Sequence, residues 1–92
     1  MARPRESAAL KGLLSAGADI VWSHHATARA RERGVSKLDA ERVIRRGLVT
    51  GLDMQADGSD RWQMRGADDD GCEFTVVVTP IAPDVLVVTV IV

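Results

Sequence analysis

The first part of the chain carries apolar residues at helical spacing. Between residues 5 and 16, four apolar side chains fall near one helical face: Ala8, Leu10, Leu13 and Leu14. Gly17 follows and is suited to end this helix. An apolar run at residues 19–23 is typical of a short strand. The pattern therefore predicts one helix and then one short strand before residue 24.

Two further helices are predicted between residues 25 and 47. Helix-tolerant alanines and arginines fill residues 25–33, and Gly34 provides a C-terminal stop. Ser36 and Asp39 resemble a capping box, with Asp in place of the usual Glu or Gln. The helix that they open carries an inward stripe at i, i+3, i+4 and i+7, formed by Ala40, Val43, Ile44 and Gly47.

The second half of the chain has the composition of strands. Runs at residues 48–54, 60–65, 72–81 and 85–92 are separated by turn signals rich in Gly, Asp and Pro. The last two runs are apolar on both faces, so we expect them to be central in the sheet and covered twice. The element order predicts an α+β fold: an N-terminal helix, a strand, two helices, then a three- to four-stranded antiparallel sheet with the helices on one side.

Charge is distributed unevenly along the 92 residues, although the formal net charge is only −1. Residues 25–46 contain seven basic and three acidic residues, whereas residues 51–73 contain seven acidic and two basic residues. A mean charge near zero argues against indiscriminate coating of nucleic acid. A local basic face is still compatible with binding one defined polyanion.

Other compositional features exclude several classes of protein. Three aromatic residues, Trp22, Trp62 and Phe74, are too few for the stacking platforms that grip single strands. The single cysteine, Cys72, excludes an internal disulfide, and we expect it in the core. The first 21 residues contain no apolar run long enough for a signal peptide or a membrane span. We therefore expect a cytoplasmic protein that does not associate with membranes.

Residues 23–34 read SHHATARARERG and place both histidines beside a run of arginines. His25 falls in the first turn of the predicted second helix, where the helix dipole and Arg29 disfavour a positive charge. A neutral imidazole there is suited to accept a proton from a ribose hydroxyl. The alternative is that His25 closes the helix start by hydrogen bonding and packs against the sheet. We expect His24 to be exposed.

Four arginines are candidates for holding phosphate. Arg29 and Arg33 share a helical face with His25 and can bind a phosphate in fork geometry, or else pair with Glu32 and the acidic segment after residue 51. In the strand 60–65, period two puts Arg61, Gln63 and Arg65 on one face and Trp62 and Met64 on the other. That polar row suits a floor for a phosphodiester, and equally an ordinary solvent-facing strand.

Cleavage of a phosphodiester by an adjacent hydroxyl needs a base, an acid and cationic stabilisation of the phosphorane. His25 supplies one proton carrier, and Glu73 is the best remaining carboxylate for the second. The acidic run Asp68-Asp69-Asp70-Gly71 lacks the alternating spacing of a calcium loop and has no His or Cys cluster beside it. We therefore expect a solvated turn there, with no metal and no cofactor.

Two motifs resemble those of a known family. The stretch Ser23-His24-His25-Ala26-x-x-Arg29-x-x-Glu32-Arg33-Gly34-Val35-Ser36 resembles the opening of a small bacterial domain-of-unknown-function family, in which a strand precedes HAxxRxxERGI and a serine-capped second helix. The ending Val87-Val88-Thr89-Val90 resembles the valine-rich strands that close its sequences. The family is similar to BrnT and to the RelE/ParE toxin superfamily. This resemblance implies a single RelE/ParE-like domain over residues 1–92, with residues 1–18 as a helical N-terminal extension.

The resemblance implies a toxin-like protein of a bacterial toxin–antitoxin system, and in particular a metal-independent endoribonuclease acting on RNA. The candidate site then has His25 and Glu73 as catalytic residues, with Arg29, Arg33, Arg61 and Arg65 binding phosphate. The alternative is a non-catalytic module that binds protein or nucleic acid, such as an inactive toxin homologue or a phage-encoded inhibitor. Expected partners are RNA, a cognate antitoxin, and a second copy paired through the apolar C-terminal strand at residues 85–92.

Overall fold

The computed structural model describes residues 2–56 and 58–92 of the chain. Within them three helices and five strands follow in order: α1 (Pro4–Ser15), β1 (Ile20–Trp22), α2 (His24–Arg33), α3 (Lys37–Arg46), β2 (Gly51–Met54), β3 (Asp60–Ala67), β4 (Glu73–Ile81) and β5 (Asp84–Ile91). The predicted α+β class and order of elements are confirmed. None of the helices in this part of the chain is long and apolar enough to cross a membrane.

The five strands form one mixed sheet in the order β1-β5-β4-β3-β2. Strands β2 to β5 are antiparallel neighbours, as predicted, but β1 pairs in parallel with β5, with Ile20 opposite Val85. The sheet thus has one strand more than predicted, and it is not purely antiparallel. The pairing is fixed over a separation of 65 residues by Asp19, whose backbone N–H donates to the Asp84 carboxylate at 3.0 Å. Local sequence patterns carry no information about such a distant partner.

Serine side chains begin the two helices that carry most of the positive charge. The Ser23 hydroxyl accepts a hydrogen bond from the Ala26 N–H, and the Ser36 hydroxyl accepts one from the Asp39 N–H, both at 3.0 Å. Each helix ends at a glycine in the left-handed conformation, α2 at Gly34 and α3 at Gly47. These caps confirm the predicted boundary between α2 and α3.

The core lies between the helices and one face of the sheet. The predicted stripe of α3 is buried, and it packs with Leu10 of α1, the alanines of α2, and inward residues of β3, β4 and β5 in a single cluster. Trp62 and Met64 face this cluster from β3 and are 4% and 0% exposed. Helices on one side and the central position of β4 and β5 are therefore confirmed. The expected cover on both sides is wrong, although Val77, which does not belong to the helix-side cluster, is 5% exposed. On the opposite face of β4 and β5, Thr75, Thr79 and Leu86 are only half-buried.

Two local predictions are corrected by the structure. In α1 the exposed Ala8 does not join the core; Ser7 is buried instead, and its hydroxyl accepts a hydrogen bond from the Val49 N–H at 2.9 Å. Cys72 is exposed rather than buried, because it lies in the turn before β4 and not within the strand.

Candidate functional site

His25 lies in the first turn of α2 and is exposed to solvent. The start of this helix is closed by Ser23, which caps Ala26 with its hydroxyl, while its carbonyl accepts a hydrogen bond from the Thr27 hydroxyl at 3.1 Å. The interpretation in which His25 caps the helix and packs against the sheet is therefore wrong. His24 is exposed, as expected.

Arg29 and Arg33 follow His25 along one side of α2. Arg29 forms an ion pair with Glu32 at 3.3 Å, in which the two side chains are 42% and 61% exposed. Such a solvated ion pair contributes only about 0–1 kcal/mol to the stability of the fold. Arg29 can therefore exchange Glu32 for another anion at low cost. Arg33 is exposed and has no ion pair within residues 2–56 and 58–92.

The predicted polar row of β3 is confirmed. Arg61, Gln63 and Arg65 alternate with Trp62 and Met64, so the row lies on the sheet face away from the helices. Arg65 pairs with Glu73 of the adjacent strand at 3.4 Å. Arg61 is half-buried and opposite Asp53 of β2 in the strand register.

The sheet separates the six predicted site residues into two groups. His25, Arg29 and Arg33 are on α2, whose buried Ala26 and Ala30 belong to the core on the helix side of the sheet. The second group consists of Arg61, Arg65 and Glu73, which lie on the other face. Because His25 and Glu73 are in different groups, they do not form an acid–base pair across one substrate.

The sequence analysis counted the cations of α3 in a local basic face at residues 25–46 but assigned none of them to the candidate site. Opposite the buried stripe, exposed side chains project into solvent from successive turns of α3. We use the name α2–α3 surface for these side chains together with the cations of α2, among which Arg31 projects to a different side of the helix from Arg29 and Arg33. Its members are Arg29, Arg31, Arg33, Lys37, Arg42, Arg45 and Arg46. The spacing of the α3 cations relative to its apolar stripe was sufficient to find it.

The three acidic residues of these helices leave most of that charge unpaired. Glu32 contacts Arg29, Asp39 contacts Arg42 at 3.5 Å, and Glu41 accepts a hydrogen bond from the Trp22 indole N–H at 3.0 Å. Among the described residues, five cations of the α2–α3 surface therefore have no carboxylate partner: Arg31, Arg33, Lys37, Arg45 and Arg46.

Trp22 links the edge strand β1 to α3. Its indole N–H donates to Glu41, and the Lys37 ammonium lies 5.3 Å from the centre of its ring. Lys37 and Glu41 are four residues apart on one face of α3, so a single aromatic side chain contacts both. This contact holds the start of α3 beside the strand that precedes α2.

The side chain of Asp68 stabilises the backbone of the acidic turn between β3 and β4. The Asp68 carboxylate accepts hydrogen bonds from the backbone N–H groups of Asp70 and Cys72, both at 2.9 Å. The predicted absence of a metal is not tested by these contacts, but no His, Cys, Asp or Glu cluster able to hold a metal ion occurs in the part of the chain that the structure describes. Asp69, at the tip, contacts Arg42 of α3 at 3.1 Å.

The α2–α3 surface is open, since the described residues enclose no pocket there or elsewhere. Its chemistry is that of exposed cations that can contact phosphate, rather than that of a closed reaction site. No protein-family model, curated protein or solved structure matches this chain significantly.

Proposed function

We propose that this protein is a non-catalytic module that binds RNA through the α2–α3 surface. The observation that carries the proposal is a set of exposed helical cations that have no carboxylate partner among residues 2–56 and 58–92, including Arg31, Arg33, Arg45 and Arg46. The separation of His25 from Glu73 by the sheet supports binding over cleavage.

Phosphate contacts account for the affinity expected of such a surface. Each cation that neutralises a phosphate of a single strand releases counterions and adds about 0.7 to the slope of log K against log salt concentration. Arginine suits this role because its guanidinium binds phosphate oxygens in pairs. Binding is then strongly salt-dependent and weakly dependent on base sequence, in keeping with the scarcity of aromatic residues.

The opposite sheet face is the weaker candidate for RNA. Arg65 already faces Glu73, and Arg61 lies across from Asp53, so each cation has a carboxylate on the adjacent strand. The local charge of that face is close to balance. The α2–α3 surface has an excess of four positive charges between residues 25 and 46, from seven basic and three acidic residues.

Fluorescence anisotropy with a labelled single-stranded RNA tests the proposal. We expect the double variant Arg45→Gln/Arg46→Gln to bind more weakly and to lower the salt slope by about 1.4, because two phosphate contacts are lost. The matched control is Arg61→Gln/Arg65→Gln, which removes the same charge from the other face. Equal weakening in both variants would show that total charge, and not the α2–α3 surface, determines binding.

A metal-independent endoribonuclease is the second candidate, favoured by the exposure of His25 one turn before Arg29. In that case His25 moves the proton and the α2 arginines stabilise the phosphorane, with no role for Glu73. Incubating RNA with the protein in the presence of a chelator tests this activity. Cleavage that is lost in His25→Ala and retained in the neighbouring His24→Ala would support it, and intact RNA with the unaltered protein would exclude it.

For the second candidate, the endoribonuclease, the biological role that we propose is that of the toxin-like member of a toxin–antitoxin pair, with a cognate antitoxin as protein partner. The resemblance of residues 23–36 and 87–90 to the family related to BrnT and RelE/ParE supports this role. Induced expression in a bacterium should arrest growth, and Arg45→Gln/Arg46→Gln should relieve the arrest without unfolding the protein. Unimpaired growth on induction would argue against a toxin.

β5 is an internal strand between β4 and β1, and β1 covers its residues 85–87. We also propose that a second strand, from either an antitoxin or another copy of the chain, pairs with the remainder of β5 beyond β1. β1 pairs with β5 only at residues 85–87, and Ile91, near the end of β5, is 49% exposed. The carbonyls of Val87 and Val88 already accept hydrogen bonds from the backbone N–H and the hydroxyl of Ser23. Augmentation would therefore use the apolar residues that follow, up to Ile91. Light scattering should show a dimer, or a complex with the product of the neighbouring gene. A chain that stays monomeric in both conditions would refute this.

A further inference from the structure

The turn between β3 and β4 places a carboxylate on the outward side of α3. Asp69 contacts Arg42 at 3.1 Å across 27 residues of sequence. Arg42 projects away from the core between Leu38 and Arg46, one turn from each along the helix. An acidic side chain from the sheet hairpin is therefore bound to a central cation of the α2–α3 surface.

The hairpin turn holds Asp69 in this position. Within the turn, the Asp68 N–H donates to the Cys72 carbonyl and the Gly71 N–H donates to the Asp68 carbonyl, both at 3.0 Å. The Asp68 carboxylate adds its two bonds to the backbone, and Gly71 has φ +83°, a conformation that favours glycine. The turn is thus formed by its own contacts and does not depend on the Asp69 carboxylate.

We propose that Asp69 is an intramolecular competitor that occupies Arg42 in place of an RNA phosphate. This inference rests on the proposed function, since it concerns the same surface. The Asp69 Oδ1 atom lies 3.1 Å from Arg42 Nη1, the nitrogen that also lies 3.5 Å from Asp39 Oδ1, and a phosphate oxygen would take the place of the Asp69 oxygen. RNA must displace it before Arg42 can contribute a contact, so the acidic turn lowers the affinity of the free protein.

The expected size of the effect follows from the exposure of the pair. The Arg42 and Asp69 side chains are 51% and 82% exposed, so water screens their attraction. Solvated pairs of this kind correspond to a change of about two- to five-fold in an equilibrium constant. Asp69 therefore lowers RNA affinity by a modest factor and does not abolish binding.

The neighbouring Asp70 provides a matched control. Its backbone N–H bonds to Asp68, while its exposed carboxylate contacts no cation among the described residues. Asp69→Asn and Asp70→Asn change the net charge equally and lie side by side in the same turn. Only the first removes a contact to Arg42.

Anisotropy titrations with a labelled single-stranded RNA test the inference in the full chain. We expect Asp69→Asn to tighten binding about two- to five-fold and Asp70→Asn to tighten it less. In an Arg42→Gln background the two variants should become equal. The inference would be overturned if both variants increased RNA affinity equally in the presence of Arg42, or if Asp69→Asn did not increase it. The proposal of RNA binding would stand in either case. Failure of the unaltered protein to bind RNA would overturn both the proposed function and this inference.

Discussion

Gly66 of β3 lies directly against Val43 of α3, so closely that a Cβ atom at position 66 would overlap the Cγ2 methyl of Val43. Both residues face the core, where α3 packs on β3. Because Gly66 has no side chain, α3 can lie close to the sheet. The distance between α3 and β3 in turn affects where Arg42, Arg45 and Arg46 of α3 are placed. The position of the proposed binding surface thus depends on one glycine in a strand.

Replacing Gly66 with Ala should lower the free energy of unfolding by about 1–3 kcal/mol, because a close-packed contact has no room for a methyl group. Urea denaturation followed by circular dichroism measures this change. Gly51→Ala is the comparison, since the atom nearest to a Cβ there is the mobile Oε1 of Gln63 at 2.6 Å, with Gln63 Cβ at 3.2 Å, and we expect a smaller loss of about 0.5–1 kcal/mol. Equal stability of the two variants would show that α3 can move away from β3 at little cost.

Ser7→Ala should be destabilising although it removes a single hydroxyl. Ser7 is 7% exposed and is the hydrogen-bond acceptor for the Val49 N–H, which would be left without this partner in the interior. Loss of such a partner costs about 1–3 kcal/mol. The same denaturation measurement on Ser15→Ala, at the exposed end of α1, should show almost no change. A stable Ser7→Ala variant would mean that another group satisfies Val49.

Gly12→Ala should stabilise the protein by about 0.5–1 kcal/mol, since Gly12 is inside α1 and an added Cβ contacts nothing within 4 Å. Gly17, just after this helix, also has open space around it but has φ +92°. Gly17→Ala should therefore cost about 1–2 kcal/mol through backbone strain. Thermal melting of the two variants should shift in opposite directions, and shifts of the same sign would contradict this assignment of the α1 end.

The parts of the fold that were predictable depend on local periodicity. The buried stripe of α3, the Ser36 cap and the alternation of β3 each follow from spacing over a few residues, and the structure confirms them. Pairing of β1 with β5 was not predictable, because it joins segments at opposite ends of the chain. Burial of Ser7 was missed for a related reason. Its partner Val49 is 42 residues away, and composition alone favours Ala8 for the core.

The exposure and the face of single side chains were predictable, but their assembly into a site was not. The exposure of His24, and the side of β3 that carries Arg61 and Arg65, agree with the sequence patterns. What the sequence did not contain was the side of the sheet against which α2 packs. Ala26 and Ala30 of α2 pack in the same core as Trp62, which places α2 on the helix side of the sheet. As a result His25 and Glu73 lie on opposite faces.

The most direct test of the central claim is an NMR titration of the ¹⁵N-labelled 92-residue chain with single-stranded RNA. Binding through the α2–α3 surface predicts that the amide shifts which move most belong to α2 and α3, around Arg31, Arg33, Arg45 and Arg46. Amides of β3 at Arg61 and Arg65 should change little. The largest changes falling on β3 and β4, with α2 and α3 unaffected, would contradict the account.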